Sequence, residues 1–163
     1  MSFRSKLIGT WECLYWRAIN INDDTDIAYP YSENVNGNIM YSEDGYMAAM
    51  LQRPEVPKYT PGPLKGTPEQ YQQAGAKTQS YHGPFYLDEK EDGTVKLFHH
   101  MIVSLPTNWI GETQVRWCQM WEEGGRLFMK LGPGYNYTTE DGIERRVEVG
   151  WRKREANTRT APP

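Results

Sequence analysis

Apolar and aromatic residues gather along this chain in short runs, each closed by glycine, proline or an acidic turn, which is the pattern of antiparallel strands. Two such runs, residues 97–105 and 115–121, are joined by Pro106-Thr107-Asn108-Trp109-Ile110-Gly111 and form a strand, a loop and a strand. Earlier runs occupy 7–20, 37–41, 46–52 and 81–87, and later ones 126–131 and 143–152. Asp44-Gly45 and Gly124-Gly125 supply the positive φ that tight hairpin turns need. Within 46–52, Met47, Ala49 and Leu51 alternate with Tyr46, Ala48, Met50 and Gln52, so neither face is plainly polar. Such a strand has apolar matter on both sides or lines a cavity. The final strand divides more cleanly, with Val147, Val149 and Trp151 on one face and Arg146, Glu148, Gly150 and Arg152 on the other.

The connections are equally informative. Four prolines between residues 53 and 66 exclude a central strand there and predict an extended loop. Thr67-Pro68-Glu69 then predicts a helix start, and the short polar helix that follows, through Ser80, has the character of a lid or plug at one end of a barrel. Gly83-Pro84 predicts an edge or bulge in its strand, 21–34 and 132–142 read as loops, and 155–163 reads as a disordered tail. The expected fold is all-β: one domain over 1–154, eight sequential antiparallel strands closing up-and-down into a barrel, with one short helix between the third and fourth. An open sandwich is the competing architecture.

Charge and composition narrow the function classes. A chain of 163 residues with formal net charge -3 and pI near 5.7 has no basic stripe for nucleic acid and no basic amphipathic helix for a membrane surface. No targeting segment or long apolar span is evident, so the expected location is the cytoplasm. Cys13 and Cys118 fall in strands and read as small buried apolar residues. No zinc-type pair, phosphate loop or nucleophile elbow is present, so no cofactor or metal is expected. Six Trp and eleven Tyr offer broad apolar walls with polar tips, suited to a ligand cavity and equally to an ordinary β core.

Candidate chemistry lies on the strands 97–105 and 115–121. His99 shares a face with Leu97, Met101 and Val103, and His100 with Phe98, Ile102 and Ser104, so a regular strand turns only one of them inward. The continuously apolar face favours His99. Arg116, beside Cys118 and Met120 on the expected inner face, must be paired or must serve an anionic or carbonyl group. One histidine as general acid or base, with Arg116 and Tyr46, Tyr81 or Gln119 polarising a carbonyl, makes a catalytic constellation. Tyr41, Met47, Met50, Trp109 and Trp117 are candidate walls. Glu148 is a candidate contact, or the acid that neutralises Arg116. If Trp11 points inward, Cys13, Tyr15 and Arg17 follow it by alternation.

Leu7-Ile8-Gly9-Thr10-Trp11 resembles the Gly-x-Trp signature of lipocalins. Tyr41-x-x-Asp44-Gly45-x-Met47, Arg53-Pro54, Thr67-Pro68-Glu69-x-Tyr71, His99-His100, Asn108-Trp109-x-Gly111, Gln114-Val115-Arg116 and Trp151-Arg152 extend the likeness to the bacterial and fungal lipocalin-like domain family, over roughly residues 7–154. The resemblance implies a calycin barrel in which Trp11 closes one end under Arg152 or Arg154 through a cation–π contact. It also implies a small, largely apolar metabolite as partner, such as a polyketide or terpenoid. The favoured activity is cofactor-free isomerisation, cyclisation or dehydration in natural-product biosynthesis. Simple carriage is the alternative, and a filled interaction module with an exposed aromatic patch near Trp16 or Trp121 is the third reading. Association into a homodimer is left open. The discriminating observation is whether His99 or His100 lies inside, within reach of Arg116.

Overall fold

The computed structural model describes residues 2–59, 65–90 and 94–162. Its elements in chain order are α1 (Phe3–Leu7), β1 (Gly9–Asn20), β2 (Asp23–Ala28), β3 (Asn36–Tyr41), β4 (Tyr46–Gln52), α2 (Pro68–Ala76), β5 (Thr78–Glu89), β6 (Val95–His100), β7 (Val103–Leu105), a 3-10 turn (Thr107–Trp109), β8 (Thr113–Glu123), β9 (Arg126–Gly132), β10 (Asn136–Thr138) and β11 (Glu144–Lys153).

Antiparallel pairing runs β1–β3–β4–β5–β6–β8–β9–β11, and β11 returns to β1 through a register from Trp11–Lys153 to Asn20–Arg145. The eight-stranded up-and-down barrel is therefore closed, as expected, and its main strands have no free edge. Leu7, Trp11, Ile39, Tyr41, Met47, Leu97, Met101 and Met129 are fully buried at its centre. Each such apolar side chain stabilises the fold by roughly 1.5–3 kcal/mol on burial.

Three short strands depart from the sequence reading. Residues 21–34 and 132–142, expected to be loops, contain β2 and β10, which extend the ends of β1 and β11. The acidic Asp23–Ala28 run has little strand propensity of its own, so periodicity could not reveal it. A tertiary contact holds it: Arg145, 3% exposed, reaches from β11 to Asp26 on β2 and to Asp141 beyond β10. The run 97–105 is broken into β6 and β7 at Met101-Ile102. The Gly83-Pro84 irregularity is thereby explained on the partner strand: a Cβ on Gly83 would lie 1.8 Å from the His100 carbonyl oxygen, while Ile102 N–H donates to the His82 carbonyl at 2.9 Å. β5 itself continues unbroken.

The helices share out the end-closing role differently from the expectation. Thr67 caps α2 with a reciprocal Gln70 capping box, but the helix stops at Ala76, because β5 begins at Thr78, and no residue of α2 is buried. The plug is α1 instead. Its Leu7 is fully buried, and the Trp11 indole N–H donates to the Leu7 carbonyl at 2.8 Å.

Candidate functional site

Alternation turns Leu97 and His99 inward from β6, Gln114, Arg116, Cys118 and Met120 from β8, Tyr81 and Phe85 from β5, and Val147, Val149 and Trp151 from β11. The half of the barrel nearer α1 is filled by core side chains, Leu7, Trp11, Tyr41, Met47 and Leu97 among them. The other half leaves a cavity of about 340 Å3, walled by Trp16, Tyr81, Trp109, Arg116, Val149 and Trp151 and rimmed by Pro30, Tyr135 and Tyr137. Tyr81 and Trp109 meet edge to face at 5.9 Å, so the 3-10 turn supplies one rigid corner of the wall.

A β-bulge decides which residues of β1 reach this space. The register with β11 shifts between Cys13 and Tyr15, leaving Leu14 exposed and changing the phase of alternation. Trp11 and Trp16 both face inward, and Trp16 stacks on Tyr31 at 5.4 Å. Tyr15 and Arg17, expected inside, lie outside: Tyr15 packs over Gly150, and Arg17 Nε donates to Glu148 at 2.7 Å.

His99 is 0% exposed, with Nε2 3.0 Å from the Tyr41 hydroxyl and its ring near Tyr81. Burial, reinforced by the Arg116 charge, depresses its pKa to about 3, so the imidazole is neutral at physiological pH. Its Nδ1 is buried without a hydrogen-bond partner. Burial likewise raises the Tyr41 and Tyr81 phenols, and pushes the free Cys13 and Cys118 thiols up to about 12. Both thiols are thus protonated and unreactive.

Arg116 has no ion pair among the described residues. Its Nη1 donates to the Val115 carbonyl at 2.9 Å and, more weakly, toward Gln114 Oε1 at 3.4 Å. Glu148, weighed from the sequence as its neutralising partner, sits on the outer face and pairs with Arg17 and Lys130. The guanidinium therefore borders the cavity with donors to spare.

The cavity separates the sequence-derived candidates. Tyr81, Trp109 and Arg116 line it; Tyr41 and His99 do not, and form a buried pair with the His99 ring next to Tyr81. His100 points outward, its Nδ1 3.0 Å from Thr113 Oγ1. Gln119 is exposed on the outer face opposite Lys130, Met50 is 57% exposed, and Trp117 lies outside beneath Lys96. Tyr46 stacks on His82 at the surface. Met47 faces inward but is packed into the filled half. For Tyr46, Met50 and His100 the cause is that alternation shows which residues lie on opposite faces, but not which face is inner when both are apolar; Trp117 and Gln119 have the parity opposite to Arg116, and Met47 faces inward away from the cavity.

A family model described as a lipocalin-like domain matches residues 8–154, almost the whole barrel. The chain belongs to the lipocalin-like domain family. A search of the curated proteins finds no match to it. In this lipocalin-like barrel the cation over Trp11 is Lys153, with Nζ 5.6 Å from the ring, in place of the expected Arg152 or Arg154. Lys153 Nζ also donates to the Lys6 carbonyl, tying β11 to α1. Arg152 has the opposite parity and pairs with Glu12 on the outside, where Arg154 joins it.

The lipocalin-like fold suits the binding of a small molecule. Among the described residues no group of three or more His, Cys, Asp or Glu could hold a metal ion, and no helix is long and apolar enough to cross a membrane. Of the residues that line the cavity, only Tyr81, Trp109 and Arg116 were in the candidate set drawn from the sequence; Trp16, Gln79, Gln114 and Trp151 are among those that were not. Trp151 and Gln114 were within reach of it, since they share faces with Val149 and Arg116. Trp16 was not, because nothing in the run 7–20 signals a bulge.

Proposed function

We propose that this lipocalin-like barrel encloses a small, largely apolar metabolite and grips its oxygen-bearing end with Arg116. The observation that carries this reading is an arginine on the wall of a cavity of about 340 Å3, among aromatic and aliphatic side chains and with no acid among the described residues paired to it. A partly buried guanidinium in such surroundings gains most from a ligand oxygen. Leu131, Val147 and Val149 offer the apolar wall that the remainder of the molecule needs.

A second reading, cofactor-free isomerisation, cyclisation or dehydration of a polyketide- or terpenoid-like substrate, is favoured by the inward His99 close to Arg116. With a pKa near 3, His99 is too weak a base to draw a proton from carbon unaided. In this reading the work falls on polarisation: Arg116 stabilises the negative charge that grows on a carbonyl oxygen, while the aromatic walls fix the substrate's conformation.

The test is a titration of intrinsic Trp fluorescence against a panel of apolar ketones and acids, in the native protein and in Arg116→Ala and His99→Ala variants, with product analysis of every binder. Saturable binding weakened in Arg116→Ala is the expected result. Product formed by the native protein and lost in Arg116→Ala would make it an enzyme, whereas binding without product makes it a carrier. Absence of any binding would overturn the reading in both forms.

A further inference from the structure

We infer that the polar end of the ligand is a planar oxyanion with two acceptor oxygens, such as a carboxylate or the enolate of a 1,3-dicarbonyl. The inference rests on the proposal that the cavity holds a ligand, and follows from the donors and acceptors around that cavity. Trp151 is 2% exposed and its indole Nε1–H is buried with no partner among the described residues; the Nε1–H of Trp16 is in the same condition. Both rings are walls of the cavity, on the adjoining strands β11 and β1. An indole N–H can only donate, so what each lacks is an acceptor. Arg116, which lines the same cavity from β8, has five N–H donors, and its contacts with Val115 and Gln114 occupy Nη1 alone.

The balance is lopsided in charge as well as in hydrogen bonding. Among the described residues no aspartate or glutamate lines the cavity, so none of them gives the guanidinium a counter-ion there, and Glu148 is engaged on the outer surface by Arg17 and Lys130. A lone hydroxyl carries no charge to match the guanidinium and offers a single oxygen. A single ketone oxygen offers two lone pairs to two indoles and a guanidinium. A carboxylate or a 1,3-dicarbonyl enolate offers about four acceptor sites in one plane and matches the positive charge, the geometry arginine engages in bidentate fashion.

The experiment is isothermal titration of the full chain with decanoate, methyl decanoate and 1-decanol, which share one apolar tail and differ at the head. Native protein is expected to bind decanoate at least tenfold more tightly than the other two. Arg116→Met should abolish that preference by weakening decanoate far more than the ester, and Trp151→Phe, which keeps an aromatic side chain but removes the N–H, should weaken decanoate several-fold more than it weakens the ester. Equal binding of all three by the native protein overturns the oxyanion while the enclosing barrel stands. A preference that survives in a folded Arg116→Met protein overturns it too. Binding of none of the three overturns the cavity reading itself, and because the head-group comparison is made first in the native chain, a misfolded variant cannot rescue the inference.

Discussion

The Tyr41 hydroxyl lies 3.0 Å from His99 Nε2, a hydrogen bond made between two fully buried side chains in an otherwise apolar core. β3 and β6 are brought together there across the barrel interior. A polar pair so placed has no water to fall back on, and the loss of one partner exposes the other to the full cost of desolvation.

Tyr41→Phe should therefore destabilise the protein by about 1–3 kcal/mol, although the substitution removes only one oxygen. Urea denaturation measures it through the shift in midpoint at constant slope. The double variant Tyr41→Phe/His99→Phe should lose less than the two single losses together, since removing both partners leaves nothing unsatisfied. Additive losses would show that the two groups do not depend on each other.

The same histidine sets a pH dependence with a definite sign. Its folded pKa is about 3 against 6.5 for the unfolded chain, so between those values the unfolded state takes a proton that the native state refuses. Its contribution is fully present above pH 6.5 and is lost as pH falls toward 3, with a slope of up to about 1.4 kcal/mol per pH unit. Asp141, held down at about 2 by Thr139 and Arg145, adds loss in the same direction but at lower pH, below its ordinary 3.8. The measurement is the stability of native protein and His99→Phe from neutral pH down to about 4.5. The variant should be flatter across that range, and parallel curves would show that His99 titrates normally.

Arg145 offers a third test, at the rim. It is buried and reaches Asp26 through two nitrogens and Asp141 through one, so a single side chain ties β2 and β10 to β11. Arg145→Met should cost about 1–3 kcal/mol, below the 3–5 typical of a broken buried pair because the abandoned carboxylates are partly solvated. Amide exchange should quicken first in Asp23–Ala28 and Asn136–Thr138, before the barrel strands. Uniform acceleration over the whole barrel would argue that Arg145 is part of the core, with no particular hold on the flanking strands.

What the sequence could reveal divides along physical lines. Strand count, barrel closure and the inward setting of His99 and Arg116 were legible because burial imposes a period of two, and because a histidine or arginine in an apolar run is conspicuous. Placement of Met50 and Tyr46 on a face was not, since the outer surface of β4 is itself apolar and offers no contrast. The bulge that turns Trp16 inward and Arg17 outward leaves no local mark, and the choice of Lys153 over Arg152 above Trp11 follows from strand phase measured across β1 and β11 together. Three errors thus come from one missing quantity, the phase of each strand relative to the barrel axis.

Gly83 is where that phase is enforced on the histidines. At Gly83 the backbone of β5 approaches β6 so closely that an added Cβ would stand 1.8 Å from the His100 carbonyl oxygen and 3.1 Å from Ile102 N. Neither neighbour is the far end of a flexible side chain, so the strand must move. The segment that would move is the break at Met101-Ile102, immediately after the histidine pair, where Met101 N–H donates to the Glu112 carbonyl and Ile102 N–H to that of His82. Gly83→Ala is expected to cost more than about 2 kcal/mol, well beyond an ordinary Gly→Ala change, and to loosen the seat of His99. Thermal unfolding gives the first quantity, and the NMR titration of His99 gives the second. In the variant the imidazole should titrate above 3, because displacing the strand readmits water to a group whose low pKa comes first from burial. An alanine that lowers stability yet leaves the His99 pKa unmoved would mean that the strain relaxes toward solvent, through His100 and Ile102, and never reaches the interior.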